Sequence, residues 1–472
     1  MTARGRVLWI HQNFVASDQP GNGRAGAQID ALVEAGFEVD LVTSQQGYLE
    51  RSPRALEDEV VSRPGWRLHR LALGGDEASF ATRRLGYVRF VLRSLHHAFS
   101  LPRPTIVFAS SPPLPQLVPA LLVSAYHRAP LVVELRDLWP AFLEELGLLR
   151  SRPMILAMRW LEAIALRYGK RFIAVTPGFA GLLELQGVPA SALCVLPTGA
   201  NVPTDATDSE RAAMRAAWRR ACGIDDRWVV LYAGSLNEHY AIDEIIGAAR
   251  HLAQRRAERI EIVVCGDGRM REAIEAEAKA LRGLRYLGPL PRAEMAGPLA
   301  GADLALVTLS PTPLFEAVFP GKLFEALMAG LPPLTNIEGH AEELVRASGG
   351  GWAIPGAGGE QLADEILRLS ELPEREFEEK RRAARTFARS RLDAVRLARE
   401  LPAWMPPADD GAGPGRLLLA ALQGAFDVAT GRNTRYRRLP PAERKALITR
   451  RFEAWLSAAS GSPARGNRRG VS

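Results

Sequence analysis

The chain has 472 residues, 47% hydrophobic and 24% charged, a balance that excludes a disordered or fibrous protein and calls for more than one core. Its 60 basic against 53 acidic side chains leave a net charge of +7, which suits an anionic partner without choosing among nucleic acid, lipid and small molecule. No paired zinc spacing, aromatic RNA-binding run or basic zipper accompanies that charge, so no nucleic-acid partner is expected, and Cys194, Cys222 and Cys265 lack the CxxC spacing of a zinc site or disulfide framework.

From the start, short apolar runs alternate with segments of helical period. Residues 7–10 predict a strand, 27–35 a helix closed by Gly36, and 37–43 a second strand. Between the first two lies Gly21-Asn22-Gly23-Arg24-Ala25-Gly26, which has the G-x-G-x-x-G form of dinucleotide sites. About ten residues separate it from Ile10, whereas that fingerprint follows its strand directly, and Asp40 falls inside the second strand, not at its end. Two readings stay open: a glycine loop that offers backbone N–H groups to an anion before a helix, or a plain flexible loop.

Strands are expected again at 105–109, 131–135, 172–175 and 193–196, with amphipathic helices at 85–99 and 154–168. Strands alternating with helices predict a parallel sheet covered on both faces. The strand at 131–135 runs into Arg136-Asp137-Leu138-Trp139-Pro140, and charged residues at the carboxyl end of a buried strand face the ligand crevice of such sheets. Arg136 and Asp137 are therefore site candidates, with a structural ion pair as the alternative. The apolar run 117–126 contains Pro119 and stops short of the ~18 residues a spanning helix needs. With no secretory signal, a cytoplasmic setting is expected.

The pattern lapses over the polar stretch 201–227, read as a linker that closes a first domain at 1–200. It resumes with strands at 229–233, 260–265, 284–287, 304–309 and 333–336, a second domain at 228–400. The expected fold class is thus α/β, with two doubly wound Rossmann-like domains facing a cleft. In the second domain, Gly266-Asp267-Gly268 joins a strand to a helix from about Met270, a junction that either cradles a phosphate or makes a tight turn. Residues 319–330 read as a short helix opened by Pro320 and closed by Gly330. Lys322 and Glu325 share one face of it: the lysine suits a diphosphate and the glutamate ribose hydroxyls, unless the two form a surface ion pair. There is no Asp-x-Asp metal triplet and no G-x-S-x-G elbow.

Beyond residue 400 a proline-rich break leads into a basic helical extension, 401–472, with a disordered tail from Gly461. The basic run from Arg432 to Arg451, and Arg89 and Arg93 among apolar neighbours near Arg83 and Arg84, are expected to dock on an anionic membrane surface; solvated arginine-rich faces are the alternative.

Taken in order, Ser110-Ser111-Pro112-Pro113, Arg136 to Pro140, Tyr232-Ala233-Gly234-Ser235, Gly266-Asp267-Gly268 and Pro320-Gly321-Lys322-Leu323-Phe324-Glu325 resemble the retaining glycosyltransferases of family 4, which have the GT-B fold. The subgroup most resembled includes the L-fucosamine transferases of capsule and O-antigen synthesis. The resemblance runs from about Val7 to Leu369. It implies a nucleotide-diphosphate sugar, a UDP sugar, as donor, and a lipid-linked or polysaccharide acceptor. It further implies that Gly266 and Gly268 face the diphosphate, with Gly234 and Leu323 beside them, that Lys322 holds the phosphates, and that Glu325 holds the ribose. Asp137 would sit near the anomeric carbon, with the glycine loop of Gly21 and Gly23 closing over the donor phosphate or the acceptor. No metal, cofactor or protein nucleophile is implied. The sequence departs from the broader family in two places: Ala317 stands where a paired glutamate is usual, beside Glu316, and Glu238-His239 stand where relatives carry Arg and Lys. Two other readings follow from these residues, a catalytically silent scaffold and an NAD-dependent sugar oxidoreductase.

Overall fold

A computed structural model of the chain describes residues 4–14, 24–45, 58–73, 80–200, 207–224 and 226–458, with backbone alone at 80–84, 436 and 437. Gly21, Gly23 and the tail from Gly461 lie outside the described residues, as do the side chains of Arg83 and Arg84. The chain forms two units, Met1–Pro197 with Ala394–Leu447, and Thr198–Asp393 with Ile448–Ser472.

The first unit is built on eight strands: β1 (Gly5–Ile10), β2 (Phe37–Ser44), β3 (Glu59–Arg63), β4 (Trp66–Leu71), β5 (Ile106–Ser111), β6 (Leu131–Leu135), β7 (Arg171–Ala174) and β8 (Leu193–Val195). They lie in the order β3-β4-β2-β1-β5-β6-β7-β8, parallel except for the β3–β4 pair. Val7, Leu8, Trp9 and Ile10 are all buried, because helices cover both faces of the sheet; this is why the strand reads as an unbroken apolar run. No apolar period marks the β3–β4 hairpin, whose β4 carries Arg67, His69 and Arg70. These are tolerated because Asp40 of β2 accepts from Arg67 Nε (2.7 Å) and Arg6 Nη1 (3.1 Å) and lies 3.1 Å from His69 Nε2. Burial alone would raise the Asp40 carboxyl, but bonds from His69 and Arg67 hold it at about 2.

The second unit has six strands, β9 (Trp228–Ala233), β10 (Ile260–Cys265), β11 (Leu284–Gly288), β12 (Leu304–Val307), β13 (Pro333–Thr335) and β14 (Trp352–Ala353). All are parallel, in the order β11-β10-β9-β12-β13-β14. Helices Ile242–Gln254 and Gly359–Ser370 pack on one face, and they approach so closely that a Cβ on Gly359 would lie 2.9 Å from Gly247 Cα.

The stretch expected to link the domains contains a helix, Asp208–Cys222, opened by a Thr207–Glu210 capping box and closed by Gly223 at φ +63°. It docks through Trp218, which fills the space beside Gly297 and Gly301, and through Arg215 and Arg219, each 2.5 Å from Asp303. Arginine and tryptophan make these contacts in place of aliphatics, so the segment looked like solvated chain. Beyond residue 400, helix Pro414–Thr430 lies along helix Arg152–Tyr168. Gly424 abuts Ala163, Asp427 pairs with Arg167 (2.8 Å), and Trp160 Nε1 donates to Ala421 O (2.8 Å). The basic run that follows forms the 3-10 turn Arg432–Arg438 and the helix Pro441–Ala458. Phe452 and Trp455 of that helix pack on Phe319, with ring centroids 6.2 and 5.7 Å away.

Candidate active site

In the first unit the strand order reverses between β1 and β5, and a crevice at such a reversal opens outside the carboxyl ends. His11 and Gln12 follow β1, Ser110 and Ser111 end β5, and Arg136 and Asp137 follow β6. Backbone bonds draw them together: Gln12 N donates to Gln116 Oε1 (2.7 Å) and Arg136 N to Ser111 O (2.8 Å). His11 is 2% exposed, and its Nδ1 has no partner among the described residues; the same holds for Gln12 Oε1, Ser111 Oγ, Gln116 Nε2 and Arg136 Nε. Such atoms cost ~1–3 kcal/mol each unless something supplies the partner, so their clustering at one strand edge marks a polar binding surface.

Electrostatics differ sharply within this cluster. Burial, reinforced by the Arg136 charge, pushes the His11 imidazole down to about 3 and keeps it neutral. Burial pushes the Asp137 carboxyl up to about 6, against the pull of Arg136. Glu134, at the end of β6, is of another kind. Burial alone would raise it, but the charges of Arg24 and Arg136 and bonds from Gln28 and Arg24 bring it down to about 2. Arg24 Nε lies 2.9 Å from Glu134 Oε1, and its guanidinium also donates to Leu196 O (2.9 Å) and Pro197 O. Arg24, the fourth residue of the glycine motif, thus pins the start of helix Arg24–Glu34 to the sheet edge.

In the second unit the reversal falls between β9 and β12. Helix Gly321–Ala329 follows β12, and its Gly330 C-cap adopts the left-handed conformation (φ +74°) anticipated for it. Lys322 Nζ sits 3.8 Å from the Tyr240 ring centre and 4.1 Å from that of Tyr232, and donates to Tyr232 Oη. That hydroxyl donates in turn to Ser235 O (2.7 Å). Burial brings the Lys322 amine down to about 7 despite Glu325 nearby. Glu325 keeps a side chain open to solvent in a crowded neighbourhood, and desolvation raises its carboxyl against the pull of Arg292 and Lys322.

The glycines here have a packing reason for being glycine. A Cβ on Gly234 (φ +145°) would lie 2.0 Å from Lys322 Cε, one on Gly266 (φ +151°) 1.8 Å from Gly234 O, and one on Gly268 2.3 Å from Leu236 O. Gly266 and Gly268 let the loops after β9 and β10 stack on each other, and Gly234 leaves room for the Lys322 side chain above them. The Leu323 side chain is fully buried, and its N–H bonds Pro320 O (3.0 Å). A cavity of about 330 Å³ in this unit is walled by Glu238, Asp243, Glu244, Glu316 and Glu338. Lys322 and Glu325 do not line it, and its carboxylates disfavour a phosphate. Ala317, at the place of the first of the paired glutamates, is completely buried.

The motifs did not single out His11, Gln12, Gln116 or Tyr240. A usable signal existed for the first two, since His11-Gln12 follow the strand at 7–10 just as Arg136-Asp137 follow that at 131–135.

Comparison with known proteins fits this geometry. The family model described as "Glycosyl transferase 4-like domain" matches residues 22–199, and that described as "Glycosyl transferases group 1" matches 214–391. The probable glycosyltransferase WbjE of Pseudomonas aeruginosa is 30% identical over 148 residues, a match spanning 30% of this chain and 36% of that protein. Among solved structures, HepE of Anabaena, crystallised with UDP, superposes with a TM-score of 0.61 at 18% identity, covering 84% of this chain and 98% of its own. Sucrose-phosphate synthase of Thermosynechococcus elongatus gives 0.64 at 16% identity, over 84% and 97%. WaaG, a glycosyltransferase involved in lipopolysaccharide biosynthesis, gives 0.60 at 18%, over 84% and 99%. The fold is that of the GT-B glycosyltransferases, two Rossmann-like α/β domains, and the two domain matches span about three quarters of the chain. The chain belongs to the glycosyltransferases that join a family 4-like N-terminal domain to a group 1 C-terminal domain.

Proposed function

We propose that the protein transfers a hexosyl or N-acetylhexosaminyl unit from a UDP sugar to a lipid-linked or polysaccharide acceptor, with retention and without a metal. The observation that carries this reading is Lys322, a single amine held between two tyrosine rings above stacked glycine loops at the strand reversal of the second unit. The bond between the anomeric carbon and the diphosphate breaks, and the electron pair leaves with the phosphate oxygen. Lys322 and the N–H groups near Gly266 and Gly268 stabilise that charge as it develops. The acceptor hydroxyl attacks from the face the diphosphate leaves, and its proton passes to a departing phosphate oxygen. Glu325 holds the ribose. Asp137 with Arg136 lies beside the anomeric centre, and the glycine motif of Gly21 and Gly23 is assigned to the donor phosphate or the acceptor.

The UDP in HepE and the lipopolysaccharide role of WaaG, as their names state them, support the donor and the acceptor class. The L-fucosamine transferase-like subgroup is the resemblance that fits the Lys-Leu-Phe-Glu sequence best. The setting proposed is cytoplasmic, peripheral at an anionic membrane surface; among the described residues no helix is long and apolar enough to cross a membrane.

The test is UDP release by the purified full chain across a panel of UDP sugars, alone and with lipid-linked acceptors, beside thermal shift with UDP, GDP, ADP and NAD. Selective stabilisation by UDP with acceptor-dependent release is expected. Stabilisation by NAD alone would replace the reading with an oxidoreductase. Donor binding without turnover would favour the silent scaffold, the reading motivated by buried Ala317. Turnover in EDTA should match that without it; activity lost to EDTA and restored by magnesium or manganese would overturn the metal-free chemistry.

A further inference from the structure

Four helices of the first unit, Phe80–Ser100, Leu117–His127, Arg152–Tyr168 and Pro414–Thr430, pack side by side, the second touching each of the others and the fourth lying along the third. Each turns an apolar stripe outward. Leu85, Val88 and Leu92 follow one another at helical spacing on the first, and Leu418, Leu422 and Phe426 do so on the last, where Leu422 is 64% exposed. On the helices between them, Tyr126 is 68% exposed and meets Phe99 edge-on, with ring centroids 5.1 Å apart, so the stripes adjoin. Apolar exposure on this scale marks an interaction surface.

The charge on these helices says what kind. The first two contain no Asp or Glu. Glu162 and Asp427, the acids of the other two, are both buried, while the four helices together carry eight arginines, of which Arg93, Arg159 and Arg167 pair with Asp58, Glu144 and Asp427. The outward face therefore offers hydrocarbon and an excess of cations, exposed Arg152 and Arg416 among them, with Arg93 already balanced by Asp58 at its margin. A second copy of the same face would set arginine against arginine, which disfavours self-association. The stripes lie on convex helices and not in a groove, which suits shallow seating in a bilayer better than capture of a peptide.

We propose that this four-helix face lies on an anionic lipid bilayer, with the apolar stripes at the acyl boundary and the arginines among the headgroups. The proposal rests on the membrane-surface setting given above but replaces its basic C-terminal run as the principal contact. It makes helix Pro414–Thr430, beyond both matched domains, a membrane element.

Flotation of the full chain with phosphatidylcholine vesicles, with and without phosphatidylglycerol, tests it. Wild-type protein should float only with the anionic lipid and lose binding in high salt. Leu422→Glu with Phe426→Glu, both at exposed positions, should weaken binding by roughly tenfold or more. Their melting temperature and UDP release from soluble donor should stay at wild-type values. Arg435→Glu with Lys445→Glu, in the basic run, should weaken it far less. The reverse ranking would keep the membrane setting and overturn this face as the contact. No flotation with either lipid would overturn both, and a concentration-dependent dimer abolished by the Leu422 and Phe426 changes would assign the face to a second copy. Turnover is read in the same preparations, so loss of the transferase reading would show separately from loss of docking.

Discussion

The two units share an architecture, a parallel sheet clothed in helices, and meet solvent in opposite ways. Every large apolar side chain exposed among the described residues, from Val60 to Phe426, belongs to the first unit. The second unit turns outward helices such as Glu374–Arg391, where Arg375 pairs with Glu379 (3.1 Å) and Arg381 with Glu378 (2.6 Å), both signs interleaved. One fold thus carries two kinds of surface. Their strand edges differ too. The first unit neutralises its buried cation with a carboxylate, Arg24 with Glu134, and sets a neutral imidazole and a protonatable Asp137 above the pair. The second leaves one amine, Lys322, among tyrosine rings.

The largest effect expected from breaking this contrast is in the first unit. Glu134→Ala leaves Arg24 buried without its counter-charge and should cost about 3–5 kcal/mol. Hydrogen exchange should show protection falling across β1, β5 and β6 while β9 and β12 keep theirs. Equal loss in all five strands would mean that the units unfold as one cooperative body. A step down in size, Lys322→Met should weaken UDP by about 1.5–3 kcal/mol and leave uridine nearly unchanged, since uridine has no phosphate. Glu325→Ala should weaken both alike, through the ribose. Titration calorimetry with the two ligands separates these outcomes, and equal losses of UDP and uridine in Lys322→Met would remove the phosphate role from the lysine.

Much of this was legible from residue order because both sheets are parallel. Strands buried on both faces must be apolar throughout, so 7–10, 131–135 and 260–265 stood out, and the turn chemistry of Pro320 and Gly330 framed the helix carrying Lys322. What escaped had physical reasons. The β3–β4 hairpin and helix Asp208–Cys222 are held by arginine pairs and one tryptophan, contacts with no apolar period to read. Tyr240 belongs to no motif; the turn that carries it is held by Thr308, just past β12, which donates to the Tyr240 carbonyl (2.7 Å), and by Ser310, which bonds the carbonyls of Glu238 and His239. Gly266 and Gly268 suggested a phosphate cradle, yet backbone stacking alone already requires glycine there.

The smallest expected effect, and the one that sharpens the contrast most, is in pH. Burial lowers Lys322 to about 7 from 10.5, so the folded chain binds fewer protons there than the unfolded one. This penalty on stability is full below about 7 and fades as pH rises toward 10.5. A diphosphate favours the charged amine and raises its pKa, so binding above that point must take up a proton. UDP affinity should therefore hold level just below the Lys322 value and fall above it, by at most about tenfold per pH unit. Asp137 runs the other way: raised from 3.8 to about 6, it contributes stability at acid pH that is lost as pH rises through its folded value. If its anion faces the anomeric centre, kcat/KM should fall on the acid side of about 6, and this limb should be missing in Asp137→Asn. Calorimetry from about pH 7.5 to 9, in buffers of different ionisation enthalpy and above the phosphate's own ionisation near ~6, reads the uptake directly. Uptake that vanishes in Lys322→Met and persists in Asp137→Asn assigns the basic limb to the second unit. Uptake that survives in Lys322→Met would place the titrating group elsewhere and cost the tyrosine-caged amine its part in binding the donor.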